Sequence, residues 1–187
     1  MGGADWIFRA VTTDTWDDMA ALFAGKGGPK GCWCMMWRRD ALGQVAPSAA
    51  ADRRHALQGL VEDGKAIGLL GYDAGVPVAW ASIAPRPLFD TGMAPGSAEP
   101  GLWSLTCFFI RADHRKQAGF AALLTAAEHH AATGGARMIE AYPVDPDSPS
   151  YRFSGFLPSF ERAGYQAVGR VGLRRHVVRK HLHGTDV

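Results

Sequence analysis

Between the apolar run Cys107-Phe108-Phe109-Ile110 and the start of a helical pattern lies the turn Asp113-His114-Arg115-Lys116-Gln117-Ala118-Gly119. The unpaired N–H groups and positive dipole end of such a helix start hold anions. Arg115 and Lys116 add formal charge, and Ala118 and Gly119 are small enough to let a phosphate reach the backbone. An ordinary polar strand-to-helix turn is the plainer reading of the same residues.

A second cluster is Cys32-Trp33-Cys34-Met35-Met36-Trp37-Arg38-Arg39. No second cysteine pair stands at zinc-like spacing, so no metal is expected. The cysteines read as small buried thiols, and Trp33, Met35, Met36 and Trp37 form an apolar wall with Arg38 reaching across it. That wall is either plain core or the lining of a pocket. Cys107 would need a base within hydrogen-bond reach to act as a nucleophile. His114 lies beyond the end of its strand, so Cys107 reads as core. His129-His130, inside a helix, reads as solvent-facing. Gly59-Leu-Val-Glu-Asp-Gly64-Lys65-Ala66 nearly spells a triphosphate loop but fails. Ala66 offers no hydroxyl to magnesium, and the segment runs from helix to strand, the reverse of the required order. After Glu161 no acid appears until Asp186, while Arg162, Arg170, Arg174, Arg175, Arg179 and Lys180 accumulate. The block reads as a solvated edge strand, or as a docking surface for a phosphate-rich ligand or RNA.

These residues sit in a chain of 187 residues with 47% hydrophobic and 20% charged content and a formal charge of +2. Such a chain buries one ordinary core, so residues 1–187 are expected to form a single domain. Its apolar runs are far shorter than the roughly 20 residues of a spanning helix. MGGADWIFRAV lacks the pattern of a signal peptide, and three cysteines suit reduced thiols. The expectation is a cytoplasmic monomer or homodimer with no membrane association.

Periodicity predicts the positioning elements. A strand over Trp6–Thr12 precedes a helix from about Thr15 that Gly25 stops. Ser48 caps a second helix running through Asp63, with Gly64 as its C-cap. The strands Ala66–Tyr72 and Val76–Ala84 flank the tight turn Asp73-Ala74-Gly75. Leu102–Ile110 is an apolar strand, Gln117–Thr133 a helix and Arg137–Tyr142 a strand. A short helix at Leu157–Ala163 and strands at Tyr165–Gly169 and Leu173–Arg179 complete the order. The crossover from 102–110 through the long helix to 137–142 has the length of a βαβ unit, so its strands should be parallel neighbours. The fold class is α+β with a mixed, mostly antiparallel sheet.

The stretches LWSLTCFFIRADHRKQAGFAALLTAAEHHAATGGARMIEAYPVDP and FLPSFERAGYQAVGR resemble the GNAT superfamily of N-acyltransferases. CWCMMWRR and GLLGYDAGVPVAWASIAPR resemble one bacterial subgroup of it, so the likeness covers roughly residues 6–180. It implies a V-shaped opening where strand 102–110 splays from strand 137–142 and admits the arm of acyl-coenzyme A, most simply acetyl-CoA. The arm would pair near Phe108, Phe109 and Ile110, and the pyrophosphate would sit on the amides of Arg115, Lys116, Gln117, Ala118, Gly119 and Phe120. A small-molecule amine would approach past Trp33, Trp37, Arg38, Trp80, Trp103 and Tyr142.

The family's loop pattern, arginine or glutamine, then glycine, then glycine or alanine, falls at Arg115, Ala118 and Phe120 in one register and at Lys116, Gly119 and Ala121 in the other, and both stay open. The carboxylate of many relatives falls at Thr106 or Cys107, and their tyrosine acid at Phe160. The remaining base candidates are Glu140, beside the gap, then His114 and Asp145; an exposed strand position is the plainer reading of Glu140. The resemblance also leaves open an aminoacyl-tRNA donor, which would use the basic stretch, and a ligand-binding domain without turnover.

Overall fold

A computed structural model describes residues 5–90, 92–93, 99–115 and 117–182, with Gln117 and Ala118 described by backbone alone. The chain runs β1 (Ile7–Ala10), α1 (Trp16–Ala24), α2 (Ala50–Glu62), β2 (Gly68–Asp73), β3 (Val76–Pro85), β4 (Leu102–Ile110), α3 (Gln117–Thr133), β5 (Met138–Ala141), α4 (Leu157–Arg162), β6 (Gln166–Val171) and β7 (Arg175–His181). One sheet in the order β1-β2-β3-β4-β5-β7-β6 joins all seven strands. Every pairing is antiparallel except β4 with β5, the parallel pair expected from the crossover through α3.

Local chemistry accounts for the element ends. Thr15 Oγ1 accepts the Thr12 N–H at 2.9 Å ahead of α1, whose Trp16, Met19, Leu22 and Phe23 are buried. Gly64 at φ +68 closes α2, where it takes the left-handed conformation that glycine tolerates. Ser48 does not cap this helix: the N-cap is Ala49, which makes no side-chain cap bond. Asp73 faces Val76 across a two-residue loop with Ala74 at φ +47 and Gly75 at φ +81, the paired positive angles of a type I′ hairpin. The last hairpin turns later than the sequence suggests. β6 runs to Val171 and β7 starts at Arg175, because the turn falls on Gly172-Leu173-Arg174, with Gly172 at φ +63 and Leu173 almost fully exposed.

Two cores cover the sheet. On one face Leu123, Leu124, Ala127 and Ala131 of α3 pack against Trp103, Leu105, Phe108, Ile139 and Ala141. On the other, α1, α2 and the 33–35 segment pack over Leu70, Tyr72, Trp80 and Phe109. A smaller cluster of Ala84, Phe89, Met93, Tyr142 and Val177 extends the second layer toward β7, with Trp37 against it. Among the described residues no helix is long and apolar enough to cross a membrane.

Candidate active site between the parted strands

β4 and β5 pair only from Leu102↔Met138 to Leu105↔Ala141. β4 continues to Ile110, and among the described residues Cys107–Ile110 have a strand neighbour only on the β3 side. The parting begins at a β-bulge. Ser82 faces Cys107 while Ile83 faces Leu105, so Thr106 is an extra residue that bends the strand. At that level a short segment enters the opening. Ser154 Oγ donates to the Thr106 carbonyl at 3.3 Å, while Gly155 O accepts from Val144 N at 3.0 Å and Leu157 N donates to Val144 O at 2.9 Å.

The head of α3 faces this opening. Arg115 Nε donates to the Ile110 carbonyl at 2.9 Å, tying the turn to the end of β4. Lys116 and the side chains of Gln117 and Ala118 lie outside the described residues. A Cβ added to Gly119 would meet the Trp6 ring at 2.8 Å, so this glycine lets the helix approach the β1 end of the sheet. Phe120 points to the gap instead. Its ring centroid is 4.8 Å from that of Phe108 and 6.0 Å from that of Phe160, and a Cβ on Gly155 would lie 3.1 Å from it. Of the two loop registers, the one ending at Phe120 therefore has its last position over the parted strands, while Gly119 faces Trp6 and Ala121 is exposed.

On the other face of β4 the buried layer is polar. Glu140 is fully buried rather than exposed, since alternation turns it inward between buried Ile139 and Ala141. Tyr142 donates its hydroxyl to Glu140 Oε1 at 2.6 Å, and Arg179 Nε donates to Oε2 at 2.8 Å. The Tyr142 hydroxyl also lies 3.1 Å from Ser104 Oγ. Burial first, then the Glu140 charge, pushes the Tyr142 phenol well above its ordinary range. Nearby, Arg38 is 1% exposed. Its Nη2 donates to the Ile67 carbonyl and, at 2.8 Å, to Ser82 Oγ, which accepts a second bond from Thr106 Oγ1 at 2.9 Å. The guanidinium stacks 4.5 Å over the Phe89 ring, and its Nε and Nη1 have no hydrogen-bond partner among the described residues. Burial lowers it to about 10, which leaves it charged at neutral pH.

The three base candidates are not brought together. His114 sits at the β2–β3 turn with Nδ1 2.8 Å from Asp113 and Nε2 3.1 Å from Asp73. Asp145 lies toward β6 and β7, with Oδ1 2.9 Å from His176 Nε2 and Oδ2 3.5 Å from Arg170. Of the acceptor-side residues, Arg38, Trp37 and Tyr142 meet around the small third cluster. Trp33 packs against Trp16 and Phe23, and Trp80 donates its indole N–H to Cys34 Sγ at 3.2 Å, so both belong to the core beside it. Trp103 lies on the opposite face, edge-on to His130 and against Gly134. His130 therefore turns inward, contrary to the expectation for the His129-His130 pair.

All three thiols are free. The neighbouring Cys107 thiol first, and burial as well, hold the Cys34 thiol well above its usual range. Half of the basic stretch is ion-paired: Arg170 meets Asp145, Arg179 meets Glu140 and Glu99, and Lys180 meets Glu128. Sequence reasoning missed Arg179 as a partner of Glu140. The period-two spacing of Arg175, Val177 and Arg179, which puts all three on one face of β7, was the available signal.

No protein-family model matches the sequence, and no curated protein matches it. Solved structures do. The chain superposes with a TM-score of 0.61 on aminoglycoside acetyltransferase AAC(6')-Ib in complex with coenzyme A, at 12% identity over 95% of each chain. It superposes at 0.57 on the PaiA N-acetyltransferase of Thermoplasma acidophilum, also in complex with coenzyme A, at 9% identity over 95% of this chain and 99% of that one. An acetyltransferase of Thermus thermophilus gives 0.56 at 18% identity, covering 97% of this chain and 100% of the other. The chain has the fold of the GNAT N-acetyltransferases, a seven-stranded mixed sheet that carries the parallel β4–β5 pair.

Proposed function

We propose that the chain is an N-acyltransferase that moves an acyl group, most simply acetyl, from acyl-coenzyme A to the primary amine of a small molecule. The observation that carries this reading is the termination of β4–β5 pairing at Leu105↔Ala141 while β4 runs on past a bulge to the head of a 17-residue helix. The free edge at Cys107–Ile110 offers backbone groups to the amides of the donor's arm, and the first N–H groups of α3 lie where a diphosphate would be held. In the reaction the amine nitrogen attacks the thioester carbonyl, the C–N bond forms and the C–S bond breaks. The proton leaves the amine and the thiolate takes one. Alignment and a donor for the developing oxyanion supply most of the rate. The charge of Arg38, two hydrogen bonds from the bulge through Ser82 and Thr106, favours that oxyanion and disfavours an ammonium nearby. Glu140 is held by Tyr142 and Arg179, which suits it to fixing the Tyr142 hydroxyl more than to taking the proton itself.

Phe120 favours a second reading, a ligand-binding domain without turnover, because its ring narrows the side of the opening that the donor's arm would use. The aminoacyl-tRNA alternative gains less support, since three of the six basic residues of that stretch are already ion-paired. Calorimetric titration with acetyl-CoA and mass spectrometry of an amine panel separate the readings. Binding with N-acetyl product supports the transferase. Phe120→Ala should then tighten acetyl-CoA binding several-fold. Binding without product supports the second reading, and no binding by either protein overturns the coenzyme A donor.

A further inference from the structure

We propose that the hollow at the β6–β7 turn binds an anionic group on the amine acceptor, between Arg174 and Arg175. This rests on the acyltransferase reading, whose acceptor it narrows to amines that carry a carboxylate or phosphate. The hollow has a volume of about 350 Å³, lined by Tyr151, Val171, Gly172, Leu173, Arg174 and Arg175, which is the size of a small-molecule site. Arg175 bridges to Val144 just beyond the end of β5, so the hollow lies at the same end of the sheet as the point where β4 and β5 part.

The charges there differ from those of the neighbouring strand positions. Arg170, Arg179 and Lys180 each have a carboxylate within 4 Å. Among the described residues Arg174 and Arg175 have none. Arg174 Nη1 donates to Ser150 Oγ at 2.9 Å. Arg175 is 8% exposed, donates through Nη1 to the Met93 carbonyl at 3.2 Å, and lies 4.7 Å from the Trp37 centroid and 5.2 Å from that of Tyr151. The two rings hold the guanidinium in place without neutralising it. A cation removed from water in this way gains most from an anion, and guanidinium pairs with carboxylate or phosphate through directed N–H bonds. Tyr151 and Val171 in the lining favour an acceptor with a planar or apolar body beside that anion.

The test is equilibrium titration, without donor, using phenylalanine, phenylalaninamide and inorganic phosphate. Phenylalanine or phosphate should bind at least tenfold tighter than the amide. Arg175→Gln should lose at least tenfold of that affinity, Arg175→Lys should recover part of it, and the exposed Arg174→Ala should lose about threefold or more. Preference for phenylalanine assigns a carboxylate, and preference for phosphate a phosphate. Equal binding of acid and amide, no binding of either anion, or unchanged affinity in Arg174→Ala overturns the proposal. Should Arg175→Gln fail to fold, Arg174→Ala decides. Acetyl-CoA titrated separately distinguishes the failures: anion binding without acetyl-CoA binding sinks the transferase reading alone, and the converse sinks the anion site alone.

Discussion

The two faces of β4 are built from different chemistry. Toward α3, Trp103, Leu105 and Phe108 meet leucines, alanines and the rings of Phe120 and Phe160. On the other face Ser104 and Thr106 join Ser82, Tyr142, Glu140 and Arg38, all buried. The first face stabilises by apolar area, at roughly 25 cal/mol per Å² removed from water. The second takes charges and hydroxyls out of water, a costly arrangement that well-packed apolar residues would often improve on. Under the proposed function, a buried polar layer at the bulge of a parted strand would act on the reaction more than on stability. In that low-dielectric setting fixed dipoles and charges act strongly on a developing charge.

Three substitutions break or sharpen this contrast. Glu140→Ala should have the largest effect, because it strips the Tyr142 hydroxyl and Arg179 Nε of their buried acceptor. The expected loss is about 3–5 kcal/mol in urea denaturation. A loss below about 1 kcal/mol would mean that the polar layer is not held together by this carboxylate. Arg38→Met should act in the opposite sense on stability. Removing a buried charge with two nitrogens that lack a hydrogen-bond partner among the described residues is expected to leave stability unchanged or raise it by about 1–3 kcal/mol, while slowing acyl transfer at saturating substrates. A variant both less stable and fully active would make Arg38 a structural residue and remove the contrast.

The smallest effect belongs to the surface turn before α3, outside either face. Contacts with His114 first, then Arg111, hold the Asp113 carboxyl at about 2, below its ordinary 3.8. A depressed carboxylate contributes stability above pH 3.8 that fades as the pH falls toward 2. Asp113→Asn should therefore flatten the fall in melting temperature across that window and lower it slightly at about pH 7, where the carboxylate's contribution is fully present. An identical acid profile would show that the turn contributes nothing to the acid response.

Much of the frame was legible because it rests on local rules. The run Leu102–Ile110 and the helix Gln117–Thr133 follow from apolar periodicity, Gly64 and Asp73-Ala74-Gly75 punctuate the chain where positive backbone angles require it, and Gly25 ends α1 in an extended conformation. The parallel β4–β5 pair followed from the length of its crossover. The bulge at Thr106 was not legible, since an extra residue changes which side chains share a face only when a partner strand fixes the count. The loop register was equally silent: Gly119 and Phe120 differ by one position, and only the packing of Trp6 and Phe108 shows which one faces the gap.

The sequence by itself determined the elements, their order and the turn that places helix α3 behind strand β4, because these depend on neighbours within a few residues. Only the tertiary structure decided what the charges do. Arg179 finds Glu140 across 39 positions, Arg38 finds Ser82 across 44, and Arg175 is left between two rings with no acid beside it among the described residues. Such pairings depend on which strands the fold sets side by side, and spacing along one strand carries no record of the strand next to it.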